Sequence, residues 1–225
     1  VVNLRTNRID RIVPMGYKNH GLAANAIAAS DKVSASSPFV LKPYANLFGI
    51  YMPDGIATFS ANGTNYFITA NEGDDRDDFL AKDQKETQRV GHSSMVLSSS
   101  AFANAADLKK ETELGRLTVI STMGRNSNGQ YEKLYTLGGR SFSIYNASTG
   151  AQVYDSGSDL EKLAYSTMPS ALLGKEQVLG RLDNKGPEPE SVVVGQVNRK
   201  TYAFVALERA SAILMYDLTN PAAPK

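Results

Sequence analysis

Two segments of this chain match each other without a gap at one offset. Pro53-Asp54-Gly55-Ile56 aligns with Pro189-Glu190-Ser191-Val192, and Asn65 to Glu72 aligns with Thr201 to Glu208. The offset is 136 residues in both cases, Pro53 to Pro189 and Tyr66 to Tyr202. Repeats of β units at a fixed period point to arrays in which each unit buries its face on the next. At roughly 45 residues per propeller blade, the offset predicts about three blades between the two segments. Each copy also ends its apolar run on an acid, so carboxylates recur at equivalent places, as Asp54 with Glu190 and Glu72 with Glu208.

The rest of the chain agrees with a β reading. Short β-branched and aromatic runs lie between Gly, Asn, Asp and Pro clusters. Leu47–Met52, Asn65–Ala70, Arg116–Thr122, Ser141–Tyr145 and Ala151–Tyr154 read as strands. Asn62-Gly63 is a strong hairpin turn signal ahead of the second of these. Ser191–Val194, Tyr202–Leu207 and Ala212–Leu218 read as a three-strand meander, with turns at Val197–Arg199 and Arg209–Ser211. Ser100–Glu113 is Ala-rich with late lysines before Gly115, which predicts one helix inside an insertion spanning Asp74–Glu113. Gly21–Ser30 has room for a helical turn. The expected fold is therefore all-β: a β-propeller or partial propeller of antiparallel four-stranded blades, with one short helical insertion, read as a single segment over residues 1–225.

Composition removes several classes of function. The formal net charge is +1, so nothing favours nucleic acid or an anionic membrane as partner. There is no Cys, hence no disulfide framework and no thiol chemistry. The apolar runs are far shorter than the ~20 residues of a membrane span. The two histidines, His20 and His92, lie far apart in sequence, which disfavours zinc catalysis. Gly139-Arg140-Ser141-Phe142-Ser143 fails the nucleophile-elbow pattern at its last position.

Several motifs in order then resemble one family. They are Gly16-Tyr17-Lys18-Asn19-His20, Gly49 to Ala57, Thr69 to Asp74, Leu114-Gly115-Arg116-Leu117, Gly139 to Tyr145, Val153 to Gly157, Asp183 to Glu190, and Leu207-Glu208-Arg209. Over nearly the whole chain they resemble the bacterial choice-of-anchor I domain. The resemblance implies an exported β-propeller, periplasmic, extracellular or on the cell surface. Some members carry C-terminal anchoring signals and some are labelled alkaline-phosphatase-like. It also implies that this chain is about half of the family's domain. A start at Val1 and an end at Pro224-Lys225 fit a processed or cut piece. The expected partner is then the remaining part of the propeller, or another copy, covering open edges. The chain departs from the family at Thr167–Leu182, which is shorter and less acidic, and at Ala28, where an acid is expected.

The acid-rich loops are the chemistry candidates. Calcium takes six to eight oxygens from carboxylates, carbonyls and water, and Glu72, Asp74, Glu188, Glu190 and Glu208 could supply carboxylates near the axis of such a fold. The same acids could instead pair with Arg76 or Arg209. Two functions follow from these alternatives. One is an exported binding or structural module, with calcium stabilising its loops. The other is a calcium-dependent phosphoesterase, alkaline-phosphatase-like or phytase-like, in which carboxylate-held ions activate water and Lys185, Arg140 and Arg209 contact phosphate.

Overall fold

Both matched segments fold as hairpins with the same turn. Asn62 and Gly63 take φ of 51° and 76°, and their counterparts Asn198 and Arg199 take 50° and 65°. This is the type I′ pattern, whose twist matches the strands it joins. Each turn is a two-residue loop, closed by Ala61 opposite Thr64 and by Val197 opposite Lys200.

A computed structural model describes residues 1–167 and 178–225; most of the divergent Thr167–Leu182 stretch lies outside the described residues. The described residues are mostly β, in four sheets. β1 (Val2–Asn3) and β2 (Arg8–Ile9) make a small ribbon. β3 (Tyr17–Asn19), β4 (Leu47–Ile50), β7 (Thr87–Arg89), β8 (Thr118–Ile120) and β9 (Leu134–Thr136) form one sheet in the order β3-β4-β9-β8-β7. Its β4–β9 pair is parallel and its other pairs are antiparallel. β5 (Gly55–Ala61), β6 (Thr64–Asn71), β10 (Ser141–Asn146) and β11 (Gln152–Asp155) form a four-stranded antiparallel sheet in the order β5-β6-β10-β11. β12 (Pro189–Val197), β13 (Lys200–Leu207) and β14 (Ala212–Asp217) form the meander expected at the C-terminal side. The helices are short: α1 (Ala105–Leu108) and α2 (Asp159–Thr167).

The offset of 136 residues does not hold three blades. The two hairpins belong to neighbouring sheets that pack directly on each other. Phe142 on β10 meets the Tyr216 ring on β14 at 4.6 Å between centroids. One core cluster holds Phe59, Ile68, Ala70, Phe142 and Ile144 from the first sheet with Val192, Ala203, Val205, Leu207 and Tyr216 from the second. The sequence distance is taken up by the chain between β6 and β10, which crosses into the five-stranded sheet and builds a separate core around Leu47, Leu117, Val119 and Tyr131. The Asp74–Glu113 insertion read from the sequence lies inside this excursion.

The helix expected over Ser100–Glu113 shrinks to α1. Leu114 and Gly115 amides bond back to the Leu108 and Lys110 carbonyls and turn the chain. Phe102, Leu114 and Leu117 then enter one core, and that burial outweighs the helix propensity of the Ala-rich run. The Gly21–Ser30 turn is present as a 3-10 helix at Ala23–Asn25. No sequence signal was assigned to α2, although Asp159 and Glu161 in its first turn suit a helix start.

Two buried polar constructions tie the layers together. On the face of the first sheet away from the second, Asn71 Nδ2 donates to Ser143 Oγ at 2.8 Å, and Ser141 and Ser143 hydroxyls each donate to Asp155 Oδ2 at 2.7 Å. Lys18 closes this network: its buried ammonium donates to the Gly139 and Gly157 carbonyls and lies 3.1 Å from Asp155. Beside it, burial and then the Lys18 charge push the His20 imidazole down to about 3, so it is neutral and donates through Nδ1 to the Asn25 carbonyl.

The second construction is Arg140, at φ 50° and the largest fully buried side chain among the described residues. Nη1 donates to the Ala28 carbonyl and to Glu161 Oε1 on α2, and Nη2 donates to the Leu182 and Asn184 carbonyls. One guanidinium therefore fixes three separate segments. Removing one partner of such a buried pair leaves an uncompensated charge. Arg140→Met is expected to cost about 3–5 kcal/mol in urea unfolding, with part of the loss recovered in Arg140→Met/Glu161→Met. A loss under about 1 kcal/mol, the range of exposed pairs, would contradict the assigned role.

Candidate functional site: a carboxylate cluster closed by its own cations

The strand ends of the two repeat hairpins bring equivalent acids together. Glu72 follows β6 and Glu208 follows β13. Their carboxylates and that of Glu188 offer oxygens within 4.8 Å of one another. Three local features place them. Gly73 and Gly138 cross so closely that a Cβ on either would run into backbone of the other segment, which holds the chain at Glu72 against the start of β10. Arg140 grips the 182–184 backbone, and Gly186 lies against its guanidinium without room for a side chain to spare. Glu188 itself takes φ 52° between two prolines, and its carbonyl accepts from the Glu208 amide at 2.9 Å.

The cluster contains its own counter-charges. Lys185 Nζ donates to Glu72 Oε1 at 2.7 Å and lies 3.4 Å from Glu188 Oε2 and 3.5 Å from Asp74 Oδ1. Arg181 Nε donates to Glu188 Oε1 at 2.6 Å. Arg209 bridges the other side, with Nε 3.2 Å from Glu188 Oε2 and Nη2 3.2 Å from Glu208 Oε1. The Arg209–Glu188 approach is an ion pair by distance but is not aligned as a hydrogen bond, so Glu188 Oε2 is buried among cations without a donor of its own. Three acids and three bases leave the node close to neutral.

The titration behaviour follows from this crowding. Burial pushes the Glu188 carboxyl up, but the Arg181 hydrogen bond and the charges of Lys185, Arg181 and Arg209 outweigh it and hold the carboxyl below its ordinary value. Burial works against the Lys185 ammonium too. There the Glu72 hydrogen bond and the charges of Glu188, Glu72 and Asp74 win, and the ammonium is held more firmly than usual. Glu72 goes the other way: burial, with repulsion from Glu188 and Asp54, raises it despite Lys185. The two partners differ because Lys185 feels three carboxylates, whereas Glu72 feels one ammonium and two like charges.

The other residues expected at this site lie elsewhere. Glu190 is exposed and outside the trio. Asp74 is at the rim, with its side chain 81% exposed. Arg140 is buried, and both terminal nitrogens are committed to protein acceptors, so its guanidinium faces the interior, whereas the phosphoesterase alternative has it on a phosphate. Arg76 pairs with Glu86 at 2.7 Å and is no partner of Glu72. Arg181 was missed, although its place in Arg181-Leu182-Asp183, just before the acidic loop, was visible in the sequence. A second missed network joins Asp31, Arg116, Asp183 and Arg89. A shallow cleft of about 240 Å³ opens beside the cluster, between Met52-Pro53-Asp54 and Glu72-Gly73-Asp74.

Because the folded Glu188 carboxyl sits below its ordinary value of 4.5, its contribution is present above that pH and is lost as pH falls through the folded value. Glu188→Gln is expected to cost about 2 kcal/mol at pH 7. Urea unfolding of both proteins at a series of pH values should show the difference shrinking below pH 4.5. A penalty that stays constant down to pH 3 would contradict the charge balance described.

Comparison with known proteins places the chain in context. It is 34% identical over 121 residues to Gigasin-3a of Magallana gigas, covering 50% of this chain and 43% of that protein. It is 27% identical over 244 aligned residues to a mesenchyme-specific cell surface glycoprotein of Strongylocentrotus purpuratus, covering 92% of this chain and 30% of that protein. The chain thus spans less than half the length of these relatives. No solved structure matches it significantly. The sequence model of one family, however, matches residues 1–221, nearly the full length, and the chain belongs to the choice-of-anchor I domain family.

Proposed function

We propose that the chain is a non-catalytic module of an exported or cell-surface protein, built from sheets stacked as propeller blades. The observation that carries this is the closed state of the carboxylate cluster. A hydrolytic centre of the phytase type needs carboxylates that hold cations and leave positions open to water and phosphate. Here the Lys185 ammonium lies within 3.5 Å of carboxylate oxygens of Glu72, Asp74 and Glu188, and Arg181 and Arg209 take the remaining charge. A calcium ion bound to the same three glutamates would sit against that ammonium and repel it. The residues as placed suit a tethered cation better than a divalent one.

Other observations support the same account. The repeat-related sheets stack face on face, with their first strands β5 and β12 meeting where Gly55 touches the Ser191 backbone, as inner strands of adjacent blades would. A relative matched over nearly all of this chain is a cell surface glycoprotein.

The experiment is a melting curve and a phosphomonoester assay, each run with millimolar calcium and with chelator. The expected outcome is a Tm that moves by less than about 1 °C and no turnover, since a ligand that does not bind the folded state does not shift its stability. A calcium-dependent rise of several degrees would make the cluster a cation site, and calcium-dependent hydrolysis would make it a catalytic one.

A further inference from the structure

The repeat assigns a use to a face that is otherwise unexplained. The first sheet turns Ala57, Ile68, Phe142 and Ile144 onto the second sheet; these lie on one face because Ala57, Ile68 and Ile144 are cross-strand neighbours, as are Ala70 and Phe142. The second sheet receives them on the face carrying Val192, Ala203, Val205 and Tyr216. The contact is thus head-to-tail: one face of the unit meets the opposite face of the next. At the offset of 136 residues, Ala57, Ile68 and Ala70 correspond to Val193, Phe204 and Ala206. The register carries the correspondence to the third strand. Met215 sits opposite Phe204 as Ile144 sits opposite Ile68, and Ile213 sits opposite Ala206 as Phe142 sits opposite Ala70.

The two equivalent faces differ in cover. Phe142 and Ile144 are both 0% exposed, whereas Ile213 is 69% exposed, Met215 60% and Val193 59%. Exposed apolar residues grouped on one sheet face in this way mark an interaction surface. A heterologous contact also leaves one unmatched face at each end of a stack. At the other end the chain has closed that face itself: the positions matching Val205 and Leu207 are Thr69 and Asn71, within the polar network capped by Lys18. Among the described residues, a second copy of this chain therefore has no free apolar face of the receiving kind to offer.

We propose that the Val193–Phe204–Met215 face, with Ile213, is the seat of a third sheet of the same repeat, supplied by the same protein at its native length. That sheet presents a receiving face patterned like Val192, Ala203, Val205 and Tyr216. The Strongylocentrotus purpuratus relative, matched over 92% of this chain and only 30% of its own length, has sequence enough for such a unit. The inference deepens the stacked-sheet part of the proposal above and names the sense of stacking.

The chain has no Cys, so a single introduced thiol is a clean probe. Met215→Cys is labelled with a thiol reagent in the 225-residue chain and in the native-length protein, with Thr149→Cys, on an exposed turn, as reference. The expected result is labelling at 215 as fast as at 149 in the 225-residue chain, and at least about 100-fold slower in the native-length protein, as for a buried site whose exposure requires local opening. Equally fast labelling at both lengths would overturn the third sheet while leaving the closed carboxylate cluster, and the surface-module proposal, untouched. Protection in the 225-residue chain that grows with its concentration would assign the face to a second copy, and would also overturn the proposal.

Discussion

Arg140 is the constraint on which the remaining structure depends. A guanidinium in a dry interior needs acceptors for its donors and a carboxylate for its charge, and the two terminal nitrogens of Arg140 find both, while its buried Nε is left without a partner. Meeting those needs brings the Ala28 carbonyl, α2 through Glu161, and the 182–184 backbone to one point at the start of β10. Each of these segments then carries something else into place. The 182–184 loop delivers Lys185 and Glu188 to the strand ends, and Asp183 to Arg89 and Arg116. The carboxylate cluster is downstream of this anchor and inherits its position from it.

The two halves of the repeat have been used differently. In the first sheet, one face is apolar and packs on its neighbour, while the other carries Thr69, Asn71, Ser141 and Ser143 and is closed by Lys18. In the second sheet both faces are apolar, and one of them is open. One outer face of the pair is thus polar and the other apolar and exposed. The acids at the strand ends follow the same logic. Glu72 and Glu208 are repeat equivalents that converge because the sheets are neighbours, and like charges brought together need cations. Lys185, Arg181 and Arg209 supply them from the loop before β12 and the turn after β13.

Strands and turns were legible because their signals are local. Asn62-Gly63 suits the positive φ of a two-residue hairpin turn, which is what it forms. The repeat put Glu72 and Glu208 at equivalent strand ends, but not on neighbouring sheets, which is what brings them together. Three things were out of reach for physical reasons. The span of the repeat was misjudged because a long excursion between β6 and β10 has the same length as extra blades. The Ser100–Glu113 helix was overread because the burial of Phe102 and Leu114 depends on partners distant in sequence. The phosphoesterase alternative puts Arg140 on a phosphate because nothing in Gly139-Arg140-Ser141 tells a surface arginine from one whose acceptors are carbonyls of residues 28, 182 and 184. Lys185, which the phosphoesterase reading puts on a phosphate, instead pairs with Glu72, 113 residues away in sequence and so out of reach of any local signal.

The central claim is that the cluster is held by its own cations, and a double-mutant cycle tests it most directly. Stabilities of the parent, Glu72→Gln, Lys185→Met and the double variant give the coupling between the two side chains at pH 7. A closed node predicts a favourable coupling of at least about 1 kcal/mol, as for contacting residues in one network. Effects that add within about 0.5 kcal/mol would contradict it, showing that Lys185 and Glu72 act as independent surface charges.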